Sequence, residues 1–129
     1  MFNFCSLYSG SSGNSLFVET ENTKLLIDAG VSSKKIETAL TNLEVDPSTI
    51  DGILITHEHS DHVKGLKVFT KKHKARVFMT AGTYEALAKT DALDNVSVSF
   101  EAGKNLETPE LDNAVRGNNY LDEVDEHLL

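Results

Sequence analysis

The sequence has no tryptophan, two prolines and a single cysteine in 129 residues, and these scarcities exclude whole classes of structure. One thiol cannot close an internal disulfide, so a bridge-stapled secreted scaffold is excluded and a reducing, cytoplasmic setting is expected. Cys5 sits in the strand-like run Phe2-Asn3-Phe4-Cys5-Ser6-Leu7-Tyr8, where a buried, unreactive thiol is the expected state. No apolar run approaches the roughly 18 residues of a membrane span, and no basic stretch leads into an apolar one, so neither a span nor a secretory signal is indicated. Positive charge is also short: 12 Lys and Arg face 20 Asp and Glu, a net charge of −8. That balance argues against a broadly basic nucleic-acid-binding module, so any polyanion contact must be local. What remains, 40% hydrophobic and 25% charged residues, is the composition of an ordinary globular segment able to bury one modest core.

The negative charge is unevenly spread. Residues 104–129 hold two basic and seven acidic residues, five of the eight net negative charges. With Pro109, Gly117 and several Asn, this stretch reads as a linker followed by one short helix over Tyr120, Leu121, Val124 and Leu128. It is either a solvated tail or a helix whose apolar face covers a sheet or a partner. The expected organisation is thus a folded segment, 1–103, and an acidic tail, 104–129.

Within the first segment, strands are predicted near 2–8, 15–20 and 24–28, with Glu21-Asn22 turning the last two into a hairpin. Ser32 or Ser33 caps a helix to about residue 43 with Ile36, Ala39, Leu40 and Leu43 facing inward. After a turn at Asp46-Pro47 comes a strand at 52–56, apolar on both faces and so suited to a sheet interior. One helix is predicted over 62–73, with Leu66 and Phe69 inward, then a strand at 76–79, a helix at 82–90 and a strand near 96–100. The class is α/β.

Three of the five histidines fall in Thr56-His57-Glu58-His59-Ser60-Asp61-His62, directly after Ile53-Leu54-Ile55. Neutral imidazoles and a carboxylate are ligands that Zn²⁺, Mn²⁺ and Fe accept readily. Residues two apart in extended chain point to one side, so His57 and His59 can chelate one ion while the turn at Ser60 swings Asp61 and His62 towards a second. A chance cluster satisfied by water is the plain alternative. His73 is expected at the surface, and His127 lacks a preceding strand.

The motif His57-x-His59-x-Asp61-His62 after a strand resembles the signature of the metallo-β-lactamase superfamily. Ser9-Gly10-Ser11-Ser12-Gly13-Asn14-Ser15, Lys24-Leu25-Leu26-Ile27-Asp28-Ala29-Gly30 and Asp51-Gly52-Ile53-Leu54-Ile55 fit the same pattern, and the wording is similar to that of the YycJ/WalJ-like subgroup. The resemblance covers about residues 1–103. It implies the amino-terminal half of an αββα sandwich, a centre of one or two metal ions, a metal-bound hydroxide as nucleophile with Asp61 catalytic, and nuclease or phosphodiesterase activity. It also implies that Asp28 lies beneath the metals, holding the ligand loop and orienting an imidazole. The remaining family ligands have no match here, so a missing carboxy-terminal half, or self-association, is expected to complete the centre.

Two further features bear on substrate. The Ser/Gly loop, with Ser12 and Asn14, offers hydroxyls and backbone N–H groups able to hold phosphate oxygens, although such loops are commonly plain turns. Lys64, Lys67, Lys71 and Lys74 recur at helical spacing and would line one face of the predicted helix, either as a solvated face or as a nucleic-acid footprint beside the metals. The expected function is a metal-dependent hydrolase acting on phosphodiesters. A catalytically incomplete metal-binding fragment and a non-catalytic nucleic-acid-binding module are the alternatives.

Overall fold

The structure is a computed structural model that describes residues 2–99. Its strands are β1 (Phe2–Tyr8), β2 (Ser15–Thr20), β3 (Lys24–Ile27), β4 (Gly52–Ile55), β5 (Arg76–Met79) and β6 (Val98–Ser99), joined in that order into one sheet. The first three form an antiparallel meander, with Thr20 N–H donating to the Thr23 carbonyl at 2.8 Å across the predicted Glu21-Asn22 turn. From β3 onward the pairing is parallel. Parallel neighbours need crossovers. These are α1 (Ser33–Asn42), then α2 (Ser60–Val63) with α3 (Leu66–His73), then α4 (Ala81–Ala88).

Side chains alternate across a strand, and the register sorts them into two faces. On one face Phe17, Leu26, Ile53, Ile55, Val77, Met79 and Val98 meet Ile36, Leu40, Val63, Leu66, Phe69 and Leu87 from the helices in a single buried core. The other face aligns Phe4, Val18 and Leu25 in one row and Leu16, Ile27, Leu54 and Phe78 in the next. None of these seven belongs to the core cluster, and Phe4 is 60% exposed. The mixed α/β class expected from the sequence is therefore present, with helices packed on one face of one sheet.

Several local expectations need correction. Leu43 is exposed, because α1 stops at Asn42, Glu44 turns left-handed at φ 61°, and Val45 enters the core instead. Cys5 is only half-buried, since β1 pairs with β2 alone and forms the sheet's edge. The single helix predicted over 62–73 is two helices, broken at Lys64-Gly65. Gly65 lies so close to the β3–α1 connection that a Cβ there would come within 2.1 Å of the Val31 carbonyl oxygen, and its N–H donates to the Ala29 carbonyl at 2.8 Å. That contact redirects the chain. Among the described residues no helix is long and apolar enough to cross a membrane. The boundary expected at 103, the acidic segment 104–129 and His127 lie outside the described residues.

Candidate metal centre

The ligand loop leaves the carboxyl end of β4, where parallel strands commonly open onto sites. Its entry is fixed by Asp28, the residue after β3. The Asp28 N–H donates to the Leu54 carbonyl at 2.7 Å, its carbonyl accepts from Ser15 Oγ at 2.8 Å, and its side chain is buried. Oδ1 accepts from the Thr56 N–H at 2.8 Å, and Oδ2 accepts from Thr56 Oγ1 at 2.7 Å. The His62 Nδ1 lies 2.7 Å from the same Oδ2.

These hydrogen bonds favour one tautomer for His57 and for His62. A hydroxyl has one proton, and Thr56 gives its proton to Asp28, so Thr56 Oγ1 can only accept from His57 Nδ1, 3.0 Å away. His57 Nδ1 is therefore the protonated nitrogen, leaving the Nε2 lone pair free. The carboxylate of Asp28 can likewise only accept, so a neutral His62 carries its proton on Nδ1 and presents Nε2. The His57 and His62 rings lie 3.6 Å apart centre to centre, and those of His57 and His59 5.1 Å apart. Asp61 Oδ2 is 3.5 Å from His62 Nε2. Imidazole nitrogens and a carboxylate in one partly exposed cluster are the donor chemistry a divalent cation takes. Among the described residues, however, no three His, Cys, Asp or Glu side chains converge on one cation position.

The Ser/Gly loop buttresses this cluster. Asn14 N–H donates to the Asp61 carbonyl at 2.8 Å, its side-chain Nδ2 reaches Asp61 Oδ2 at 3.1 Å, and its Oδ1 accepts from Gly10 N–H at 3.1 Å. The amide expected to meet substrate is committed to protein partners. Ser12 is exposed on the turn. Gly30, whose N–H donates to the Asn14 carbonyl at 2.8 Å, leaves no room for a side chain: a Cβ would come within 1.8 Å of the Asp61 carbonyl oxygen.

The four lysines do not share the single helix expected, because the chain breaks at Gly65 between Lys64 and Lys67, and Lys74 lies beyond α3 in a left-handed conformation. Lys64 and Lys67 line a groove of about 380 Å³ with Glu58 and Ser60 of the ligand loop, whereas Lys71 and Lys74 are exposed further along. His73 is not a free surface residue. Its Nε2 lies 2.5 Å from Glu37 Oε2, and its ring packs on Phe69 at 4.6 Å.

Thr56 and Asn14 are the residues whose role the sequence pattern did not reveal. A threonine next to a candidate histidine ligand was the signal for the first. The second was expected to meet phosphate, and nothing local pointed to its partner Asp61, 47 positions away.

A family model described as the metallo-beta-lactamase superfamily matches residues 8–125. The chain is 43% identical over 107 residues to the exodeoxyribonuclease WalJ of Streptococcus pneumoniae, covering 80% of this chain and 40% of that protein. It is 45% identical over 84 residues to the exodeoxyribonuclease YycJ of Bacillus anthracis, covering 65% of this chain and 32% of that one. Among solved structures, a Cronobacter sakazakii metallo-β-lactamase with a HARLDQ motif superposes with a TM-score of 0.57 at 26% identity, over 62% of this chain and 33% of that one. The chain thus spans about two fifths or less of the length of these curated relatives.

Proposed function

The chain belongs to the metallo-β-lactamase superfamily, and on that footing we propose that it forms part of the metal centre of a metal-dependent phosphodiesterase of nuclease type. The observation that carries this reading is the Asp28–Thr56 relay, which leaves His57 and His62 with their Nε2 lone pairs free beside Asp61. The exodeoxyribonuclease names of the relatives favour nucleic acid as substrate. Membership of the superfamily implies divalent metal ions. In this reading His57 and His59 hold one ion, and Asp61 and His62 a second, with Zn²⁺ preferred and Mn²⁺ or Fe as substitutes. When bound, such ions lower the pKa of a coordinated water to about 7.

The chain's own residues do the rest. Asp28 and Thr56 hold the imidazoles in the correct tautomer, and Asn14 restrains the Asp61 carboxylate. Ser12, Lys64 and Lys67 face the substrate polyanion, and the exposed Lys71 and Lys74 add diffuse attraction to it. The protein works in the cytoplasm, where Cys5 stays a free thiol.

A second reading rests on the absence, among the described residues, of three converging donors. Alone, these residues make a metal-binding but catalytically incomplete unit, completed by further chain or by self-association. Elemental analysis after dialysis tests the core of both readings. Zn²⁺ is expected to be retained weakly by the wild type and lost by a His57→Ala/His59→Ala variant. Equal retention by the two proteins would exclude the metal assignment. In a completed protein, Asp61→Ala should abolish phosphodiester hydrolysis.

A further inference from the structure

The groove beside the ligand loop is floored by Val63 and Leu87, both buried, and walled by Ser60, Lys64, Lys67 and Asp91. It starts within the segment that carries His57, His59 and Asp61 and ends at the turn after α4. Lys67 Nζ lies 3.5 Å from Asp91 Oδ2, and the Asp91 side chain is 83% exposed while that of Lys67 is 40% exposed. An ion pair so open to water adds little to stability. Its consequence is electrostatic: Asp91 holds a carboxylate where a second anion would otherwise meet Lys67, and with Glu58 it cancels the two ammonium charges of the groove.

We propose that this groove is a subsite for a backbone phosphate of a nucleic-acid strand next to the strand's reacting phosphodiester, in which Lys64 and Lys67 bind the phosphate and Asp91 is the internal anion it displaces. The inference rests on the nuclease reading for what lies in the adjacent centre, but not for the binding itself. The apolar floor of Val63 and Leu87 suits the face of a sugar, and the two lysines suit the phosphate. Lys71 and Lys74, exposed and outside the groove, contribute only diffuse attraction.

The test is anisotropy titration of the full chain with a fluorescently labelled single-stranded oligodeoxynucleotide, in EDTA and at several salt concentrations. Lys67→Gln should weaken binding roughly two- to fivefold and reduce the logarithmic salt slope by about 0.7, the value for each phosphate neutralised on a single strand. Asp91→Asn should tighten binding by a similar factor, the reverse of what loss of a structural ion pair would do. Unchanged or weaker binding by Asp91→Asn, equal weakening by Lys71→Gln and Lys67→Gln, or competition by inorganic phosphate as strong as by oligonucleotide would each overturn the subsite. Hydrolysis of bis(p-nitrophenyl) phosphate by the metal-loaded, completed protein is read separately. Its absence, with the binding effects intact, removes the nuclease reading and leaves the subsite standing.

Discussion

At the scale of single residues, Asp28 concentrates the most constraint. It is a non-glycine residue with φ 67°, a conformation that costs about 1–3 kcal/mol and persists only where its surroundings over-determine it. Here the surroundings do so: backbone bonds to Leu54 and Ser15 and carboxylate bonds to Thr56 and His62 all point inward. Asp28→Asn keeps the shape but replaces one acceptor oxygen with a donor, which faces either Thr56 or His62 wrongly. Affinity for Zn²⁺ should fall about 10- to 100-fold, as expected when a partner that orients a ligand is removed. Competition against a chromophoric chelator measures this, and unchanged affinity would detach Asp28 from the centre. Gly30→Ala acts differently. The added Cβ meets backbone, the Asp61 carbonyl, and not a side chain able to swing away. Urea unfolding should show a loss of at least about 1–3 kcal/mol, the scale of overpacking, accompanied by reduced metal retention.

At the scale of elements, α1 and α3 are clasped by Glu37. Its carboxylate meets His73 and Lys72, the latter at 3.3 Å from Oε1. The hydrogen bond from His73 is the main cause holding the Glu37 carboxyl below its ordinary value of 4.5; Lys72 adds to it and burial opposes it. A carboxyl with a depressed folded-state pKa stabilises the protein above its unfolded value, and that contribution disappears as pH falls through the folded value. Wild type and Glu37→Gln should therefore differ in chemical stability at neutral pH, and the gap should close as the solution is acidified below pH 4.5. A gap independent of pH would mean that the clasp acts through packing alone. The break between α2 and α3 belongs to the same scale. Gly65 lets the β3–α1 connection approach at the break, and Lys64 and Lys67, on either side of it, both line the groove beside the ligand loop.

At the scale of the whole molecule, among the described residues one sheet face is dressed by helices and the other carries Phe4, 60% exposed, with the half-buried Leu16, Val18, Leu25, Ile27 and Leu54 outside the core cluster. A row of apolar side chains outside the core marks a candidate interaction face. The 129-residue chain should self-associate through it, as sedimentation velocity across a concentration series will show, and Phe4→Lys/Val18→Lys should shift the population towards monomer without loss of the helix-side core. A concentration-independent monomer that binds no apolar dye would show that the face is covered within one chain.

Much of this was legible in the order of residues. The strands at 2–8, 15–20 and 76–79, the cap at Ser32 and the inward Leu66 and Phe69 follow from periodicity and capping, which are local rules. The proximity of His57, His59, Asp61 and His62 was equally local, since one turn of chain carries them all. The family resemblance implied Asp28 under the ligand loop, but only tertiary structure gave its bonds to Thr56 and His62, and it alone set Asn14 against Asp61, Glu37 against His73, and the bend at Gly65. The first of these depends on parallel pairing of β3 with β4, which sets two distant strand ends side by side. Sequence determines which side chains can bind a cation or a phosphate. Only the fold determines which tautomer His57 and His62 favour, because both answer to Asp28, the first through Thr56, dozens of residues away along the chain.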